Sequence, residues 1–122
     1  MSWQEVRDNL AEYERLLKSE LPKDLHIYSF DYIFDMDKSV RWNRDEAARR
    51  NQEYSSACNA MVQSIREAKE HLFESAIAYI QQELDVSKEK AGRIFDFCNR
   101  ERHSSGYEVV LDFVDEVIEV LA

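Results

Sequence analysis

The chain has almost none of the residues that turn a backbone: two glycines and one proline in 122 residues. All-β folds need many tight turns, and Gly and Pro supply most of them. The shortage excludes a sandwich or barrel and predicts helices. Cysteine is scarce as well. Cys58 and Cys98 make no disulfide framework and show no zinc-type spacing, which predicts a reducing compartment and a cytoplasmic protein. No apolar run approaches the roughly 20 residues of a membrane span, so no membrane partner is expected. The start, MSWQEVRDNL, lacks the apolar segment of a signal peptide. Two scattered glycines cannot cradle a phosphate, which excludes a nucleotide-binding loop and leaves no cofactor to expect.

Basic residues are missing from two stretches. Residues 24–37 hold Asp24, Asp31, Asp35 and Asp37 with no Lys or Arg, and residues 103–122 hold Glu108, Asp112, Asp115, Glu116 and Glu119 with none. Their charges, −4 and −5, add to the whole net charge of −9, so the remainder is neutral. Within that remainder, Lys38 to Arg50 has five basic residues against two acidic ones. Solubility needs net charge but not this segregation. The distribution predicts against free nucleic acid as a partner and for a basic protein surface.

Apolar residues at 44% and aromatics at 11% exclude disorder despite 34% charged residues. The length predicts a single domain over 1–122. Ser2 and Glu5 form a capping box, and Trp3, Val6, Leu10, Tyr13, Leu17 and Leu21 recur every three or four residues. Helix 1 is expected at about 3–20, stopped by Pro22. Residues 25–36, LHIYSFDYIFDM, alternate like a strand but have no second strand to pair with, which favours a short helix or an aromatic plug. From Asn43 to Leu84 the pattern is helical, with Tyr54, Cys58, Met61, Ile65, Ala68 and Leu72 on one stripe. That length is roughly 60 Å, beyond the roughly 30 Å of one compact domain. The helix is therefore expected to break near Ser55-Ser56 or to protrude and form a homodimer through the Tyr54–Tyr79 stripe.

Asp85 or Ser87 is placed to cap the next helix, with Ala91, Ile94, Phe95 and Cys98 inward. Ser105 and Glu108 form a further capping box, which favours a new helix from Gly106. Val109, Val110, Phe113, Val114, Val117, Ile118 and Leu121 then form an inward face. The fold class is all-α: a bundle of three to five helices with one long central helix.

Four patterns bear on function. DMDKSVRWNRDE places Asp35, Asp37, Ser39, Asn43 and Glu46 at positions 1, 3, 5, 9 and 12 of a calcium-loop frame. Asp35, Asp37, Ser39 and Glu46 are the metal candidates. Val40 occupies the position that needs Gly, and Arg41 and Arg44 add repelling charge. The expectation is therefore a helix capped by Asp37 or Ser39, with no metal bound. Around it Arg41, Trp42, Arg44, Arg49 and Arg50 interleave cations with an indole. Such a patch suits a small phosphate or RNA contact, an intramolecular complement to the acidic stretches, or a dimer contact.

The REAKEH segment has the R-x-x-x-x-H spacing and resembles HEPN ribonucleases, small helical bundles whose Arg and His act on RNA, usually across a dimer interface. The resemblance implies Arg66 and His71 as catalytic candidates, with Glu67 departing from the family's preferred neighbour. RHSSGYEVV, Arg102 to Val110, resembles the G-H-S-x-G-Y-x-E-V segment of small helical tailed-phage proteins of unknown role. Arg102 stands in place of the Gly and Glu108 comes one residue early. That resemblance implies a phage or mobile-element origin and no activity.

The remaining candidates do not assemble into catalytic sets. Di-iron bundles need E-x-x-H pairs, which are absent. Cys98 and His103 have no third orienting group. The expectation is a non-catalytic acidic helical protein, an inhibitor or adaptor that imitates nucleic acid on a basic partner. Asp112, Asp115, Glu116 and Glu119, helped by Asp31, Asp35 and Asp37, form its contact surface.

Overall fold

A computed structural model describes residues 2–21 and 35–122. It is all-α, as the sequence predicts. The helices are α1 (Trp3–Leu17), α2 (Val40–Leu84), α3 (Lys88–Arg102) and α4 (Tyr107–Leu121), with a 3-10 turn at His103–Ser105 between the last two. No strand occurs among the described residues. The reading of 25–36 as helix, strand or plug lies, up to Phe34, outside them, and so does Asp31.

Each joint has a local cause. Ser2 Oγ accepts the Glu5 N–H at 3.2 Å and starts α1, which ends at Leu17, three residues short of the expected end. Ser39 Oγ accepts the Trp42 N–H at 3.0 Å and starts α2. At the far end, the Val86 N–H reaches back to the Gln81 carbonyl at 3.3 Å, with Asp85 at φ 50°. That is a helix-ending motif in which Asp stands where Gly is usual. Of the two candidate caps for α3, Ser87 is the one used, accepting from Lys90 N–H.

The Ser105–Glu108 capping box does not form. Ser105 lies in the 3-10 turn and Gly106 precedes α4 at φ 97°, ψ 158° with no side-chain cap. That backbone region is essentially reserved for Gly.

The chain divides into two compact units, Met1–Leu17 with Ile65–Ala122, and Lys18–Ser64. The 45-residue α2 belongs to the second unit up to Ser64 and to the first from Ile65 on. α2 does not break near Ser55-Ser56.

In the first unit Val6, Leu10 and Tyr13 of α1 meet Leu72, Ala76 and Ile80 of α2, Phe95 and Cys98 of α3, and Val110, Leu111, Val114 and Ile118 of α4. Phe73 ties the helices together by ring contacts with Phe95 at 4.8 Å and Tyr107 at 5.5 Å. From Ala68 onward the proposed dimer stripe of α2 is therefore occupied by the chain's own core. The inward face of α4 also differs from its expected list. Leu111 is fully buried, while Val109 and Leu121 are exposed. Placing Val110, Val114 and Ile118 at the centre turns Leu111 inward and Val109 outward, because steps of about 100° accumulate along a helix, whereas Leu121 keeps the inward direction but lies past the last buried layer.

In the second unit the start of α2 is held by Asn43, which has no exposed surface. Its amide accepts the Asp35 N–H at 2.6 Å and donates to the Asp35 and Ser39 carbonyls at 3.1 and 2.9 Å. A buried amide with all these bonds made fixes the turn ahead of the helix.

Candidate functional site

The acidic row stands on α4, a helix with no basic residue of its own. Burial of Val110, Leu111, Val114 and Ile118 holds one side, so the carboxylates on the other side are fixed in direction. Asp112, Glu116 and Glu119 are exposed and Asp115 is half-buried. The row is electrostatically costly. Asp112–Glu116 and Asp115–Glu119 are like-charged pairs four apart, and each opposes the helix by a few tenths of a kcal/mol. Glu119 also sits in the last turn, where the negative end of the helix dipole disfavours anions.

One cation answers the row among the described residues. Arg7 of α1 donates to Asp112 at 2.5 Å and lies 4.0 Å from Glu108. Its guanidinium also lies 5.1 Å from the Trp3 ring centroid. Asp115, Glu116 and Glu119 form no ion pair among the described residues. The field of Asp115 is felt by Tyr79, whose phenol is pushed above its ordinary value by burial first, then by the carboxylates of Glu83 and Asp115.

Asp35 and Asp37 belong to the second unit. Asp35 Oδ1 accepts the Asp37 N–H at 2.9 Å, a local turn contact. The twelve-residue calcium frame is not a loop here. Its residues from Val40 on are helical. Glu46 is engaged by Arg49 at 2.5 Å and Arg50 at 3.0 Å. Bonds from those two guanidiniums hold the Glu46 carboxyl down at about 2. Ser39, a proposed ligand, serves as the helix cap. No group of three or more His, Cys, Asp or Glu side chains is placed to hold a metal ion among the described residues.

The basic patch divides in two. Arg49, besides Glu46, reaches Glu53 at 2.5 Å, so Arg49 and Arg50 are balanced by acids on their own helix. Arg41 and Arg44 are exposed and make no ion pair with the described residues. Trp42 is 41% exposed, with the Lys38 ammonium 5.5 Å from its ring centroid.

Arg66 and His71 both project from exposed positions on α2. Five residues apart on one unbroken helix, they point about 140° away from each other. Cys98 is buried, and burial pushes its thiol up to about 11, so it stays protonated. His103 lies 3.1 Å from the Asn99 carbonyl through Nδ1 and caps the end of α3. Cys98 and His103 therefore form no nucleophile–base pair.

Sequence reasoning missed two features of this region. The Arg7–Asp112 contact joins residues 105 apart, and a separation that long leaves no pattern along the chain. The other is a groove of about 710 Å³ between α3 and α4. Its signal was present: Phe97 falls off the stripe of Ala91, Phe95 and Cys98, and a large aromatic off-stripe is an apolar group left outside the core. Arg102 covers Phe113 at 4.3 Å, and Phe97 lies 5.9 Å from Phe113 between ring centroids.

No family model, no curated protein and no solved structure matches the chain. No helix among the described residues is long and apolar enough to cross a membrane.

Proposed function

We propose that this chain is a non-catalytic binding protein whose α4 carboxylates occupy a basic surface of a protein partner. The observation that carries the reading is the state of the row: five acids on a helix without cations, locked in direction by the core behind them, with Arg7 the one basic side chain against them among the described residues. A row that destabilises its own helix is offset when a partner brings the missing cations. Fixed negative charge also steers a basic partner and speeds association, an effect that salt weakens. Carboxylates held in a line on a rigid rod present repeated negative charge as a nucleic-acid backbone does, so the favoured partner is a nucleic-acid-binding protein, blocked or recruited by this chain in the cytoplasm. The resemblance of Arg102 to Val110 to a phage segment supports a phage-encoded origin for such an inhibitor or adaptor.

The test is capture from a bacterial lysate on immobilised protein at low salt, read by mass spectrometry, with and without competing double-stranded DNA. The expected result is a basic protein retained by the column and released by the DNA. Retention only of acidic or neutral proteins indifferent to DNA contradicts the reading.

A further inference from the structure

The α3–α4 hairpin carries an open apolar band that its own chain leaves uncovered. Ile94 and Phe97 of α3 face Val117 and Leu121 of α4 across the groove. Phe97 is 43% and Leu121 56% exposed, and Val120 beside them is 82% exposed. Contiguous apolar surface with a charged border marks an interaction site more often than chance exposure. The border identifies the occupant. On the α3 side the groove is edged by Glu89, Lys90 and Arg93, a border that is net positive because Glu89 pairs with Arg93 at 2.6 Å and Lys90 adds a further cation. On the α4 side Glu116 lies one turn from both Phe113 and Val120 and edges the band with negative charge. The two borders of one band thus have opposite sign.

We infer that this groove seats a second copy of the chain, hairpin against hairpin about a two-fold axis running along the groove. That axis places α4 of each copy against α3 of the other. Phe97, Leu121 and Val120 of both copies then share one apolar seam. Each Glu116 meets the basic border of its mate. A two-fold interface must be complementary to itself, and a band with one positive and one negative border meets that condition. A purely basic helix in the groove meets Lys90 and Arg93 as like charges, and a purely acidic one meets Glu116. The seam also replaces the Tyr54–Tyr79 stripe as the dimer surface, since that stripe is taken up by the chain's own core from Ala68 onward. The inference does not rest on the α4 row binding a partner: Glu108, Asp112 and Asp115 lie away from the seam and stay accessible in the dimer.

The experiment is sedimentation equilibrium of the full chain at roughly 100 μM, well above a micromolar dissociation constant. The expected mass is twice the 14.5 kDa of one chain. Phe97→Glu with Leu121→Glu returns a monomer with an unchanged helical circular dichroism spectrum, because both side chains are already exposed. Glu116→Arg weakens the dimer, and adding Arg93→Glu restores it. Met61→Glu leaves it intact. A wild-type monomer at that concentration overturns the inference, as does a dimer that survives the Phe97 and Leu121 changes. A dimer split by Met61→Glu moves the interface elsewhere and overturns it equally. Failure of the Arg93 and Glu116 exchange to restore association rules out the two-fold arrangement.

Discussion

Arg7 of α1 reaches Asp112 of α4 at 2.5 Å and stacks near Trp3, making it the one internal counter-charge to the acidic row among the described residues. The pair is partly exposed, at 29% and 57% of the side chains, so water screens it. Arg7→Ala is expected to lower stability by about 1 kcal/mol, and Asp112→Asn by less than about 0.5 kcal/mol, because Asp112 also relieves repulsion when neutralised. Urea unfolding at low salt measures both. A larger loss for Asp112→Asn than for Arg7→Ala contradicts the description of the row as self-repelling.

The packing of α4 gives a second comparison. Leu111 is fully buried and Val109 is exposed, so Leu111→Ala is expected to cost about 2–5 kcal/mol. Val109→Ala changes stability by less than about 0.5 kcal/mol. Denaturant midpoints at equal slope decide it, and equal losses contradict the observed rotation of the helix.

The two glycines are expected to respond with opposite signs. Gly106 has φ 97°, and Gly92 is in mid-helix, with nothing within 4 Å of an added Cβ at either. Gly106→Ala costs about 1–3 kcal/mol through backbone strain alone. Gly92→Ala gains about 0.5–1 kcal/mol by helix propensity. Thermal midpoints of the two variants measure this, and a gain at position 106 contradicts the turn geometry.

Glu46 predicts a pH dependence. Its carboxyl is held down to about 2 by Arg49 and Arg50, from the ordinary 4.5. A depressed acid stabilises the folded chain fully above its unfolded value. The contribution is lost as pH falls from 4.5 toward 2. The stability difference between the protein and Glu46→Gln is therefore constant above about pH 5 and shrinks as pH falls below it. A difference that grows on acidification contradicts the assignment of the cluster.

Much of the fold was legible because helical periodicity survives in a chain with little else to read. The Val6–Leu10–Tyr13 and Ala91–Phe95–Cys98 stripes are the buried faces, and Ser2, Ser39 and Ser87 are caps of the kind short polar side chains make. Errors came where tertiary packing sets the answer. Ser105 and Glu108 matched a capping box, yet Gly106 takes a conformation that moves the helix start to Tyr107. Leu121 fitted the α4 stripe, yet it falls past the last core layer and is left in solvent. The site was legible only in part. Charge segregation pointed to Asp112, Asp115, Glu116 and Glu119, but Arg7 as their partner does not follow from spacing, and the groove beside them shows along the chain only in the off-stripe Phe97. DMDKSVRWNRDE shows the converse: ligand-type residues at ligand spacing form a capped helix, because Asn43 and Ser39 organise the backbone first.

On the proposed function, the α4 carboxylates carry partner binding. The most direct test is a calorimetric titration of the captured partner at low salt with the protein and with Asp112→Asn, Asp115→Asn and Glu119→Gln combined, Glu116 being kept because it also edges the α3–α4 seam. Circular dichroism serves as the check that the helices are intact. The expected result is a loss of at least about tenfold in affinity, equivalent to about 1.4 kcal/mol, and a wild-type affinity that falls steeply as salt is raised. An intact variant that binds the partner as tightly as the wild-type protein at low salt contradicts it and moves the site to the exposed patch of Arg41, Trp42 and Arg44.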